Sequence, residues 1–245
     1  MDRVTLSISN DADASAAAAA AFFVGSARQD LSRKGSCSVA LSGGSTPMRL
    51  YRHLAGVHHR HLDWERLLIF WSDERWVGIS DPESNAGMAL KNLITPLGLC
   101  RERIHPVPTD LDSPERAAAA YEKILIEQLG EGPRFDLILL GVGCDGHTAS
   151  LYPGTGALDE TCAQVAANWV VSASTWRITF TYPLLNRARR VMFLATGSSK
   201  AEPVRRILEA GDMSLPAARV HPERGLITWF LDAESASRLQ GAAGS

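Results

Sequence analysis

Asp145 and His147 stand two positions apart in GVGCDGHTAS, residues 141–150. Histidine titrates near neutral pH and is the natural general base, and a carboxylate beside it orients the ring and favours its charged form. The same two residue types also suit a buried histidine bonded to backbone, so the pair needs support from elsewhere in the chain. SGGSTP at 42–47 offers some. Gly43 and Gly44 let backbone approach an anion, a helix starting beyond them presents free N–H groups, and Ser42, Ser45 and Thr46 add hydroxyls. The competing reading is a tight turn before a capped helix. In SDERW at 72–76, Asp73, Glu74 and Arg75 are charges closing an apolar run, and Arg75 has the geometry to clamp an oxyanion or phosphate. Arg177 and Lys200 sit beside apolar runs and could complete an anion site; taken singly, each also reads as a surface charge.

Several chemistries are excluded. Gly141, Gly143 and Gly146 spell G-x-G-x-x-G, but Pro153 and Gly154 arrive too early for the helix a dinucleotide fold needs. SGGSTP lacks the lysine of a Walker A loop. No G-x-S-x-G elbow and no H-E-x-x-H pair is present. The histidines of HLAGVHHRH at 53–61 follow no ligand spacing and read as solvated, so no metal is expected. The four cysteines, at 37, 100, 144 and 162, form no C-x-x-C pair. A formal net charge of −2 gives no field for nucleic acid or an acidic membrane surface. No run approaches the roughly 18 apolar residues that span a bilayer, and residues 1–10 lack a signal-peptide pattern. A cytoplasmic protein without nucleic-acid or membrane partners is expected.

The elements that must position these residues follow from the hydrophobic pattern. With 245 residues and 45% hydrophobic content, the chain can bury one sizeable core. Apolar runs at 37–41, 66–71, 135–143, 190–197 and 225–232 suit strands buried on both faces. Helical stretches are expected at 11–34, 46–56, 85–94, 113–129 and 198–210. Ser45 or Thr46, Ser113 and Ser199 are the expected caps. Residues 168–184 are expected to add strands at a sheet edge. Strand and helix alternation predicts a mostly parallel sheet covered on both sides, in one domain. SGGSTP, SDERW, GVGCDGHTAS and TGSSK then all fall beyond the carboxyl ends of strands, where such sheets bind ligands.

In their order along the chain, LSGGSTP, SDERWV, SNAGMA, GVGCDGHTASLYPG and TGSSKAEPV resemble the 6-phosphogluconolactonases, in a wider group that includes glucosamine-6-phosphate deaminases. The likeness runs from about residue 12 to residue 232. It implies a three-layer, Rossmann-like α/β/α fold of the deaminase/ribose-phosphate isomerase type, a single domain over 1–245, and no metal or organic cofactor. It also implies hydrolysis of 6-phospho-D-glucono-1,5-lactone, a small-molecule substrate, to 6-phospho-D-gluconate, the second step of the oxidative pentose phosphate pathway. On that reading His147 is the general base and Asp145 its orienting partner. Arg75 meets the substrate's polar end or the developing charge. Gly43, Gly44, Ser45, Thr46, Arg177 and Lys200 hold the phosphate, with Ser42 and Asp73 as further substrate contacts. A monomer is expected, a weak dimer being the alternative. The resembling deaminases carry a glutamate where this chain has Tyr152 and a tyrosine where it has Arg75, and tyrosine supplies no carboxylate at pH 7. A deaminase/isomerase acting on glucosamine 6-phosphate is the second reading, and a non-catalytic sugar-phosphate binder is the third.

Overall fold

The structure, a computed structural model, describes residues 3–240; residues 1, 2 and 241–245 of the expected single domain lie outside the described residues. Its frame is a six-stranded parallel sheet in the order β1-β9-β8-β5-β2-β3. The strands are β1 (Val4–Ser9), β2 (Cys37–Leu41), β3 (Leu67–Trp71), β5 (Leu137–Gly141), β8 (Arg190–Ala195) and β9 (Leu226–Asp232). A second, antiparallel sheet joins β4 (Asp73–Arg75), β7 (Thr175–Phe180) and β6 (Val165–Val170).

The central strands alternate between two cores, as a sheet covered on both faces requires. Val39, Leu41, Ile69, Leu137 and Leu139 face one core, and Ala40, Phe70, Ile138, Leu140 and Phe193 face the other. Helices α1 (Ala12–Lys34) and α2 (Ser45–Gly56) cover the first. So does a composite segment of α3 (Asn85–Ala89), a π-helical stretch (Leu90–Ile94) and α4 (Thr95–Leu97). The second core lies under α5 (Pro114–Leu129), α6 (Tyr182–Leu185), α7 (Ala201–Leu208), α8 (Ala233–Ala236) and the small sheet. Asp11 caps α1, accepting from the N–H groups of Asp13 and Ala14, with Arg33 and Lys34 in the last turn where the dipole favours them. Ser113 caps α5 as expected. Among the described residues no helix is long and apolar enough to cross a membrane.

Five details differ from expectation. β1 was not anticipated: VTLSIS alternates, and Val4, Leu6 and Ile8 remain exposed on an edge strand, so it lacks the continuous apolar run of its neighbours. The strands within 165–180 extend no edge of the main sheet. The chain leaves β3 at Ser72, whose N–H bonds Leu41 and whose carbonyl accepts from Phe180. SDERW is thereby drawn into the small sheet, where Asp73–Arg75 is strand rather than loop. The cap of α2 is Gly44, at φ 102° and without a side-chain bond, in place of Ser45 or Thr46. Ser199 caps nothing: it lies inside a 3-10 turn, Ser198–Lys200, that runs into α7.

Candidate active site

The strand order reverses between β2 and β5. β2 continues through α2 to β3 on one side, while β5 leads to β8 on the other. Such a switch point opens a crevice beyond the strand carboxyl ends. A cleft of about 210 Å³ lies there, and every residue singled out as a candidate except Asp145 lines it: Ser42–Thr46, Asp73, Arg75, His147, Arg177 and Lys200. Asp145 stands behind His147.

The 42–46 bend is built by its neighbours. The Tyr51 hydroxyl accepts from the Ser42 N–H (3.0 Å) and donates to the Ser42 carbonyl (2.7 Å). Both backbone groups of Ser42 are therefore spent on structure. Gly43 has no room for a side chain, since a Cβ would stand 1.6 Å from Asn85 Oδ1. With no side chain capping α2 at Gly44, the first-turn N–H groups of Ser45 and Thr46 are left for a ligand. Thr46 Oγ1 meets Thr196 Oγ1 at 3.0 Å, tying this bend to the β8 end.

The imidazole is held just as closely. His147 Nδ1 lies 2.6 Å from Asp145 Oδ1, and the His147 N–H donates to the same oxygen (3.1 Å). A carboxylate only accepts, so Nδ1 carries the proton and Nε2 keeps its lone pair. Gly143 packs beneath: a Cβ there would fall 2.1 Å from His147 Nδ1 and 2.4 Å from Asp145 Oδ1. The Gly143 N–H closes the loop on the His147 carbonyl at 2.8 Å. Burial pushes the Asp145 carboxyl up, but the hydrogen bonds and charge of His147 together outweigh it and hold the group below its usual range. Two residues further on, Ala149 takes φ 47°, a left-handed conformation costly for a residue with a Cβ and found where a site over-determines its backbone. Tyr152 stacks on the imidazole, ring centroids 3.9 Å apart.

The opposite wall is cationic. Arg75 and Arg177 are direct cross-strand partners on β4 and β7, an arrangement that repels unless an anion lies between the two. Neither forms an ion pair among the described residues, and both Nε atoms are buried without a partner. Arg177 is only 8% exposed. One Arg75 terminal nitrogen donates to the Glu83 carbonyl (2.9 Å) and to Asn85 Oδ1, which fixes its guanidinium. Asp73 is buried and accepts from the Ser150 hydroxyl at 2.8 Å.

Glu74 turns away from the cleft. Buried at 2% exposure, it accepts from the N–H groups of Arg75, Asn85 and Ala86 and from the Ser84 hydroxyl, all at 2.7–3.0 Å. Burial pushes its carboxyl up despite those bonds. Its task is to hold the 83–87 turn, and through Asn85 to hold Arg75. Asn85 and Tyr152 both line the cleft and were not singled out from the sequence as site residues. Asn85 gives no chemical signal on its own, since its position over Gly43 is a long-range contact.

Elsewhere, His53 pairs with Asp13 and His58 with His61 at the surface, away from the cleft. Asp30, Cys37 and Asp136 lie close enough together to ligate a metal, but at the other end of the sheet. Their carboxylates already take Arg190 and Lys34, each at 2.7 Å, and burial pushes the Cys37 thiol up.

Comparison with known proteins adds independent findings. A family model described as glucosamine-6-phosphate isomerases/6-phosphogluconolactonase matches residues 10–229. A 6-phosphogluconolactonase of Synechocystis sp. is 40% identical over 216 residues, covering 86% of this chain and 88% of the relative. That of Nostoc sp. is 37% identical over 218 residues, covering 85% and 87%. Among solved structures, 6-phosphogluconolactonase from Trypanosoma brucei superposes with a TM-score of 0.86 at 32% identity, covering 96% of this chain and 98% of that one. A monomeric glucosamine-6-phosphate deaminase superposes at 0.81 with 22% identity, a likeness of fold alone.

Proposed function

The chain belongs to the glucosamine-6-phosphate isomerase/6-phosphogluconolactonase family, and from that premise we infer how its cleft works. It hydrolyses 6-phospho-D-glucono-1,5-lactone to 6-phospho-D-gluconate, in the pentose phosphate pathway. The observation that carries the residue roles is the placement of one imidazole, its Nδ1 committed to Asp145, in the same crevice as the 42–46 bend and two guanidiniums that form no ion pair among the described residues.

A lactone carbonyl is already electrophilic. The protein must seat the sugar, deliver water and stabilise the oxyanion. The phosphate sits against the α2 N-terminus at Gly43–Thr46, neutralised by Arg177 and Lys200. That anchor places C1 at the His147 end. His147 Nε2 removes a proton from water as the water oxygen bonds to C1. The negative charge passes to the carbonyl oxygen, facing Arg75. When the tetrahedral species collapses, the C1–O5 bond breaks and the imidazolium returns its proton to O5. Asp145 keeps Nε2 the basic nitrogen and steadies the cation formed in between. Ser42 serves through its hydroxyl. Asp73 has no carbon-bound proton to remove in this reaction, and its buried, Ser150-bonded carboxylate fits a contact to a sugar hydroxyl.

Proton release from freshly made lactone, corrected for the spontaneous reaction, tests this. His147→Ala should lower kcat by about two to four powers of ten; retention of most activity refutes the assignment. The deaminase reading is tested by ammonia release from glucosamine 6-phosphate. Tyr152 speaks against it, having no carboxylate to offer the amino sugar. A non-catalytic binder would be stabilised by 6-phosphogluconate without turning over the lactone. The reading carries with it a monomeric, single-domain, cytoplasmic enzyme that needs no metal or organic cofactor. Light scattering and activity after dialysis against EDTA test its first and last parts.

A further inference from the structure

Tyr152 lines the cleft without a task in the steps above. Its ring lies on the His147 imidazole, centroids 3.9 Å apart and planes 21° from parallel. We propose that Tyr152 is the positioning residue of the general base: its stacked face stops the imidazole from swinging and stabilises the imidazolium formed when water is deprotonated. The inference rests on reading His147 as that base.

Two features of the site require such a group. The first is mechanical. The bond from Nδ1 to Asp145 Oδ1 fixes one edge of the ring, and Gly143 closes the space beside that edge. A single bond at one edge is a hinge, about which Nε2 could sweep across the cleft. A ring stacked on the imidazole face removes that freedom. The second is electrostatic. The charged groups in or beside the cleft with His147 are Asp145 and Asp73 on one side of the balance, and Arg75, Arg177 and Lys200 on the other. Cations outnumber anions, which suits a phosphate, so support for the imidazolium that adds no further negative charge suits the site. An aromatic face attracts a cation through its quadrupole without adding formal charge. Tyr152 is suited to this because burial pushes its phenol up, so it stays neutral throughout the working range.

The test compares Tyr152→Leu, Tyr152→Phe and His147→Ala by pH profiles of kcat and kcat/KM, with NMR titration of the His147 ring. Losing the face destabilises the cation, so in Tyr152→Leu the imidazole pKa should fall by about half a unit, the size of one cation–π contact. The acid limb of kcat/KM moves to lower pH with it. Loss of alignment should lower kcat by about tenfold or more, while KM stays within about threefold. Tyr152→Phe, which keeps the face, should recover most of both effects. Pentafluorophenylalanine at 152 keeps the ring's shape and reverses the charge of its face. It should lower the His147 pKa even if the leucine variant folds poorly. An unchanged titration in the fluorinated protein, or an unchanged kcat and acid limb in folded Tyr152→Leu, overturns the proposal. Full activity in His147→Ala overturns the base assignment and this inference together. An inactive His147→Ala beside a wild-type-like Tyr152→Leu overturns the role of Tyr152 alone.

Discussion

Gly143→Ala isolates the geometry of the base from its chemistry. The backbone at 143 does not require a positive φ, so alanine brings no conformational strain there. What it brings is a methyl carbon 2.1 Å from His147 Nδ1 and 2.4 Å from Asp145 Oδ1. To restore an ordinary contact of 3.4 Å from 2.1 Å, the ring must retreat by about 1.3 Å. The Asp145 bond either breaks or moves with it, and Nε2 leaves its line to the lactone carbon. A misplacement of about 1 Å costs on the order of a hundredfold in rate, equivalent to about 2.7 kcal/mol of transition-state stabilisation. The expected result is therefore a kcat down by about two powers of ten. KM should change little, because the phosphate anchor lies at the other end of the cleft. Gly56→Ala is the control: a Cβ at this last residue of α2 meets nothing within 4 Å. The assay is proton release from fresh lactone, with Tm measured beside it to exclude unfolding. A Gly143→Ala enzyme within a few-fold of wild type would show that the Asp145–His147 arrangement is not the working one.

Arg177→Met keeps the apolar stem and removes the charge facing Arg75. KM for the lactone should rise by about tenfold or more, with kcat less affected. The ligand-free protein should hold or raise its Tm, as the cross-strand repulsion is relieved; a fall in Tm with unchanged KM would refute the anion-site reading. Lys200→Ala should raise KM in the same sense. Glu74→Gln turns an NH2 group toward donors, leaving buried N–H or hydroxyl groups unpaired, at about 2 kcal/mol. For a chain of this length that is a loss of roughly 4–8 °C in Tm, with activity falling because Asn85 and Arg75 loosen. Asp145 has its folded pKa depressed, so its contribution to stability is complete above the unfolded value near 3.9 and fades as pH falls through the folded value. The stability gap between wild type and Asp145→Asn, read by urea unfolding, should therefore narrow below about pH 4; a gap that widens in acid contradicts the sign.

The chain itself determined the layers. Continuous apolar runs closed by glycine or polar residues suit strands buried on both faces, and the helical stretches were marked by the alanine-rich composition of 11–34 and by starting signatures such as Ser113-Pro114. That pattern also placed SGGSTP, GVGCDGHTAS and TGSSK at one rim, because parallel strands put every strand-to-helix turn on the same side. Asp145 and His147 were legible because their contact spans two residues. What lay beyond the sequence depends on contacts between distant segments. β1 escaped because half-exposed alternation is a weaker signal than a buried run. SDERW read as a loop because its strand partner is a hundred residues away, at 177–179. That pairing sets Arg75 opposite Arg177, makes Glu74 structural and gives Asp73 to Ser150. Asn85, brought over Gly43 from another segment, turned a loose motif into a bend of fixed dimensions, and the stacking of Tyr152 on His147, though close in sequence, depends on the fold of the turn between them. Local sequence records each residue's propensity and chemistry, but close packing decides which way a side chain points and what stands against it.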